Sequence, residues 1–141
     1  MFMFIAVTNA QRETPVNKTR MAQLANSAVK QLRLRAAGTM AVTFIGAQRM
    51  RQLNRRALGH DRLTDVLTFR YDGEPVVGDI LVAPAAARAY AAAHGLACEE
   101  ELARYVVHGL LHWMGHEDRT SAQQQRMRSM EDRLLAECLR Q

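Results

Sequence analysis

Short runs rich in β-compatible residues alternate along this chain with stretches whose apolar side chains return every third or fourth position, so strands and helices must share a core. Phe2 to Val7, Thr39 to Ile45, Val66 to Phe69 and Val76 to Val82 read as strands, the last two separated by the turn-forming Asp72-Gly73-Glu74-Pro75. The first helix is expected to start at Thr14-Pro15, bury Met21, Leu24, Ala25, Ala28 and Leu32, and stop at Gly38. A short basic helix follows, with Met50, Leu53 and Ala57 on its apolar side and its end near Gly59. Pro84 to His94 is alanine-rich and leads into Gly95, as a third helix with a glycine beyond its last turn would. Glu99, Glu100 and Glu101 crowd the first turn of a fourth, where carboxylates favour the positive end of the dipole, and this helix should run to about Met114. Thr120 and Gln123 have capping-box spacing for a last helix whose inner face carries Met127, Met130, Leu134 and Cys138. The expected fold class is α/β (α+β), a single domain over residues 1–141 with about four strands in a mixed sheet and about five helices.

The chain has 141 residues, 48% of them hydrophobic and 23% charged, which is material for one core. No apolar stretch approaches the roughly 20 residues that span a bilayer, and Met1 to Val7 lacks the layout of a secretory signal. Cys98 and Cys138 stand far apart and form no Cys-x-x-Cys pair, which argues against a disulfide scaffold or a thiolate metal site. A reduced, cytoplasmic setting without a membrane partner is the expectation. The net charge of +5 is unevenly spread: residues 1–62 hold eleven Lys or Arg against two acidic residues, or +9, and residues 63–141 hold eight against twelve, or −4. The basic half suits a polyphosphate partner, since clustered arginines neutralise phosphates and release counterions. The same charge also suits a solvated surface.

Chemistry concentrates in His108-Gly109-Leu110-Leu111-His112. Two imidazoles four residues apart share one face of a helix, at a separation that suits one cation. Gly115 can turn the chain back, and Asp118 then brings a carboxylate to the same ion. The pattern H-x-x-x-H-x-x-G-x-x-D matches the ligand spacing of metzincin-type zinc sites, with Asp in the third place, and the helix is accordingly zincin-like. His116 is the rival third ligand. A zincin peptidase needs a glutamate directly after the first histidine to activate water, and that position holds Gly109, which weighs against proteolysis. Phosphodiester cleavage depends less on that base, because a metal can polarise a phosphoryl oxygen while arginines offset the developing charge.

These residues resemble the YbeY family, whose signature H-G-x-L-H-x-x-G-Y-D-H appears here as H-G-L-L-H-W-M-G-H-E-D from His108 to Asp118. Leu53-Asn54, Thr64-Asp65-Val66-Leu67-Thr68-Phe69, Gly78-Asp79-Ile80 and Glu99-Glu100-Glu101-Leu102 look like family segments in the family's order. The resemblance implies a zinc-dependent, single-strand-specific endoribonuclease acting in ribosomal-RNA maturation and ribosome quality control. It also implies one Zn2+, no nucleotide cofactor, and partners among ribosomal RNA, the small ribosomal subunit, a ribosomal protein or a ribosome-assembly GTPase. His108 and His112 match two family ligands, and Asp118 stands in the place of a third histidine. The family carries an arginine shortly before the Thr-Asp-Val segment; Leu58 occupies that place here, and Leu63 replaces a usual proline. Arg55, Arg56 and Arg62 are the neighbouring cations that could contact phosphate, and Thr64 and Asp65 are expected to line the cleft. A catalytically weakened RNA-binding homologue, or a metallopeptidase, are the alternative readings.

Overall fold

The computed structural model describes residues 2–35, 38–58, 66–72 and 76–139. Strands β1 (Phe4–Asn9), β2 (Thr39–Phe44), β3 (Val66–Arg70) and β4 (Val76–Val82) form one sheet in the order β1-β2-β4-β3. The first, second and fourth run parallel, and β3 pairs antiparallel with β4 at an edge. Alternation along the strands puts Ile5, Met40, Val42, Phe44, Ile80 and Val82 on one face, none more than 1% exposed. Helices α1 (Lys18–Gln31) and α4 (Cys98–Trp113) cover that face, α5 (Ser121–Leu139) packs on both of them, and α3 (Pro84–His94) packs against α4. Helix α2 (Ala47–Leu58) lies on the other side, where Met50 and Leu53 meet Leu67, Phe69 and Leu81. No helix among the described residues is long and apolar enough to cross a membrane.

The ends of α1 differ from the sequence expectation. Its cap is Asn17, whose side chain accepts from the Arg20 amide at 3.0 Å. Thr14 is 3% exposed and gives its amide to Gln11 Oε1 at 2.9 Å, so Thr14-Pro15 belongs to a closed loop. At the far end Leu32 caps the helix and Arg33 takes the left-handed turn at φ 53°, which leaves Gly38 outside it. The other caps follow their chemistry. Pro84 opens α3 and Gly95 follows it at φ 66°. Thr120 and Gln123 exchange bonds ahead of α5: the Gln123 amide donates to Thr120 Oγ1 at 3.1 Å and the Thr120 amide to Gln123 Oε1 at 3.0 Å. The expected stop of α2 near Gly59 lies outside the described residues, as do Gly73, Glu74 and Pro75 of the β3–β4 turn.

Two glycines let α4 lie close on β3 and β4. A Cβ at Gly109 would stand 2.5 Å from Ile80 Cγ2 and 3.0 Å from Val66 Cγ1, and Thr68 Oγ1 donates to the Gly109 carbonyl at 3.2 Å. One turn further, Trp113 Nε1 donates to the Val77 carbonyl at 2.8 Å, and a Cβ at Gly78 would stand 2.5 Å from that nitrogen. The register skips here, with Thr39 paired to Val76 and Met40 to Gly78, so Val77 is the extra residue of a bulge. Arg70 closes the arrangement, its guanidinium 4.4 Å from the Trp113 ring centre and donating to the Trp113 carbonyl at 2.8 Å. These contacts fix the rotation of α4 and leave His108 and His112 on its half-buried flank, with His108 turned to α5.

Candidate metal centre

The end of α4 explains how a carboxylate reaches its histidines. The Gly115 amide donates to the His112 carbonyl at 2.9 Å and the His116 amide to the Leu111 carbonyl at 3.1 Å, the paired bonds of a Schellman turn. Gly115 sits at φ 107°, a conformation open to glycine and strained for other residues. The reversed chain then presents Asp118, whose carbonyl is tied to α5 by Gln124 Nε2 at 3.1 Å.

His108 Nε2 and His112 Nε2 are 3.0 Å apart, and Asp118 Oδ2 lies 3.4 Å from the first and 3.3 Å from the second. A tetrahedral zinc ion with bonds of about 2.0–2.1 Å holds its ligand atoms about 3.3 Å apart. The three donors thus already stand at the spacing of three corners of such a site. They are the group among the described residues whose donor atoms converge closely enough to hold a metal ion. The His116 side chain is not part of that group.

One neighbour of the triad comes from another helix, 23 residues beyond His108. Glu131 of α5 is 4% exposed; its Oε2 is 2.7 Å from His108 Nδ1, and its Oε1 accepts from Arg104 Nη1 at 2.9 Å. Arg104 also donates to Asp132 Oδ1 at 2.7 Å. Burial alone would push the Glu131 carboxyl up, but the bonds from His108 and Arg104 outweigh it and hold the group below the usual glutamate range. The signal in sequence was a charged residue on an apolar stripe, since Glu131 falls between Met127 and Leu134 on the inner face of α5.

A cleft of about 330 Å3 opens beside the triad, walled by Tyr90, Tyr105, Gln124, Arg128, His108 and Asp118. Arg55 and Arg56 are exposed in the last turn of α2, on the opposite side of the sheet from α4. The side chain of Leu58 and the whole of Arg62, Leu63, Thr64 and Asp65 lie outside the described residues.

A helix-borne histidine pair closed by a returning carboxylate, mounted on a four-stranded mixed sheet, defines a small α/β domain of zincin-like metal-site type. Sequence comparison narrows the class, because the profile described as endoribonuclease YbeY matches residues 6–139. The chain belongs to the YbeY family. It is 36% identical over 101 residues to an endoribonuclease YbeY of Chlorobaculum tepidum, covering 71% of this chain and 74% of that one. Against its namesake in Aromatoleum aromaticum the identity is 39% over 105 residues, covering 73% and 68%. The solution structure of a Thermotoga maritima protein shares the fold, with a TM-score of 0.67 at 24% identity over 96% of this chain and 89% of that one.

Proposed function

We propose that this chain is a single metallohydrolase domain that cleaves single-stranded RNA, with ribosomal RNA in the small ribosomal subunit as substrate and Zn2+ as its ion. The observation that carries the reading is the triangle of His108, His112 and Asp118, with sides of 3.0, 3.3 and 3.4 Å. The donor set of two imidazoles and one carboxylate suits zinc, and Asp118 offsets one unit of its charge. A divalent ion there supplies Lewis-acid polarisation of a phosphoryl oxygen and acidifies water at neutral pH.

The chain's own residues supply the rest. His108 and His112 would hold the ion through their Nε2 atoms, and Asp118 through its carboxylate. Arg128 borders the cleft, where its guanidinium can meet a phosphate, while the exposed Tyr90 offers an aromatic face against which an unpaired base can stack. Arg55, Arg56 and Arg62 belong to the basic half and draw the strand in over longer range, and Thr64 and Asp65 lie directly before Val66, the β3 residue that packs beside Gly109. Gly109 gives the site no peptidase base, which favours a phosphodiester over a peptide.

The test is cleavage of single-stranded RNA by purified protein carrying stoichiometric zinc. Cleavage that His112→Ala abolishes supports the reading. Intact RNA with both proteins refutes the catalytic claim and leaves an RNA-binding homologue, whose salt-sensitive binding would survive loss of the metal.

A further inference from the structure

We propose that Glu131 is a positioning residue that fixes the His108 tautomer, and that Arg104 orients it for that task. The inference rests on the metal-binding reading above and extends it to a residue 23 positions away in sequence. Neutral imidazole carries one N–H, and whichever nitrogen carries it cannot ligate a metal. Glu131 Oε2, 2.7 Å from His108 Nδ1, draws the proton to that nitrogen and leaves Nε2 bare, on the side facing His112 and Asp118.

The carboxylate has no freedom to do otherwise. Its other oxygen is engaged by Arg104, whose guanidinium is itself held by Asp132 at 2.7 Å, so both oxygens accept and each has a separate donor. Arginine can only donate. A glutamine at this place has one oxygen for two donors, and the cation keeps it. The glutamine NH2 then faces His108 Nδ1, which must become an acceptor, and the imidazole proton moves to Nε2. A side chain of nearly unchanged size and shape would thereby turn the ligating nitrogen of His108 into a blocked one. Removing the side chain altogether takes away the acceptor at Nδ1 without placing a donor there.

Two measurements on the full chain test this. In metal-free protein, nitrogen-15 correlation spectra followed upwards in pH until the ring of His108 carries a single proton report which nitrogen holds it. Wild type should carry the proton on Nδ1 and Glu131→Gln on Nε2. Competition against a chromogenic chelator reads Zn2+ affinity: Glu131→Gln should weaken it about tenfold or more, and by more than Glu131→Ala. A general loss of structure would give the reverse order, and melting of the metal-free variants separates the two. Wild type with its proton on Nε2 overturns the proposal without any variant, and so does Glu131→Gln with an unchanged tautomer or Zn2+ affinity within twofold of wild type. If wild type binds no Zn2+, the proposed function fails, while the spectra still decide the role of Glu131.

Discussion

Gly109→Ala tests whether the metal helix is pressed onto the sheet as closely as the structure shows. Alanine is the better helix former by about 0.8–1.0 kcal/mol, so on an exposed helix the change would stabilise. Here the new Cβ would stand 2.5 Å from Ile80 Cγ2, more than 1 Å inside an ordinary carbon contact of about 3.5–4.0 Å. Ile80 is fully buried on a central strand, and Val66 and Thr68 close the other side at 3.0 and 3.4 Å, so α4 itself must shift outwards. Overpacking of this kind costs about 1–3 kcal/mol. The steric cost outweighs the propensity gain, and the variant should lose up to about 2 kcal/mol. Urea unfolding of metal-free protein followed by circular dichroism measures it, with a lower midpoint and an unchanged slope expected. Because the shift displaces the backbone of His108, Zn2+ affinity should fall alongside. A Gly109→Ala protein as stable as wild type or more so would refute the close approach.

Trp113→Phe should cost about 0.5–1.5 kcal/mol in the same unfolding assay, because it removes the indole bond to the Val77 carbonyl in the bulge, which keeps the Tyr71 amide at 3.1 Å as its donor. The pH dependence of metal-free stability should carry a Glu131 component. Since the folded carboxyl lies below its unfolded value, the stabilisation is present above about pH 4.3 and is lost as pH falls through the folded value. Glu131→Gln should remove that component, leaving a shallower acid limb. Asp118→Ala should weaken Zn2+ binding about tenfold or more in chelator competition while moving the metal-free melting temperature by little, since Asp118 is only half-buried.

How much of this was legible in the sequence depended on whether the physics was local. Pro84 with Gly95, and Thr120 with Gln123, mark helix ends through bonds made within a few residues, and both ends fell where that chemistry puts them. Gly78 stands at both a bulge and a close approach, with the skipped register at Val77 and Trp113 against its Cα, and a glycine inside a strand is the local mark of such a place. The ends of α1 were misplaced for equally local reasons. Thr14 and Asn17 are both competent caps, and what decided between them was Gln11 taking the Thr14 amide. Gly38 looked like the terminator, yet Arg33 adopted the left-handed turn itself. Glu131 was missed because its partners lie on another helix, and only its place on an apolar stripe hinted at a buried partner. Convergence of Asp118 on the histidines was readable from the glycine turn, but the distances among the three donors were not.

Whether His108, His112 and Asp118 share one ion can be read from anomalous diffraction at the zinc edge from crystals of untreated protein. One peak is expected about 2.0–2.2 Å from His108 Nε2, His112 Nε2 and an Asp118 carboxylate oxygen. Well-ordered side chains with no peak between them, or a peak held by other residues, would contradict a shared ion.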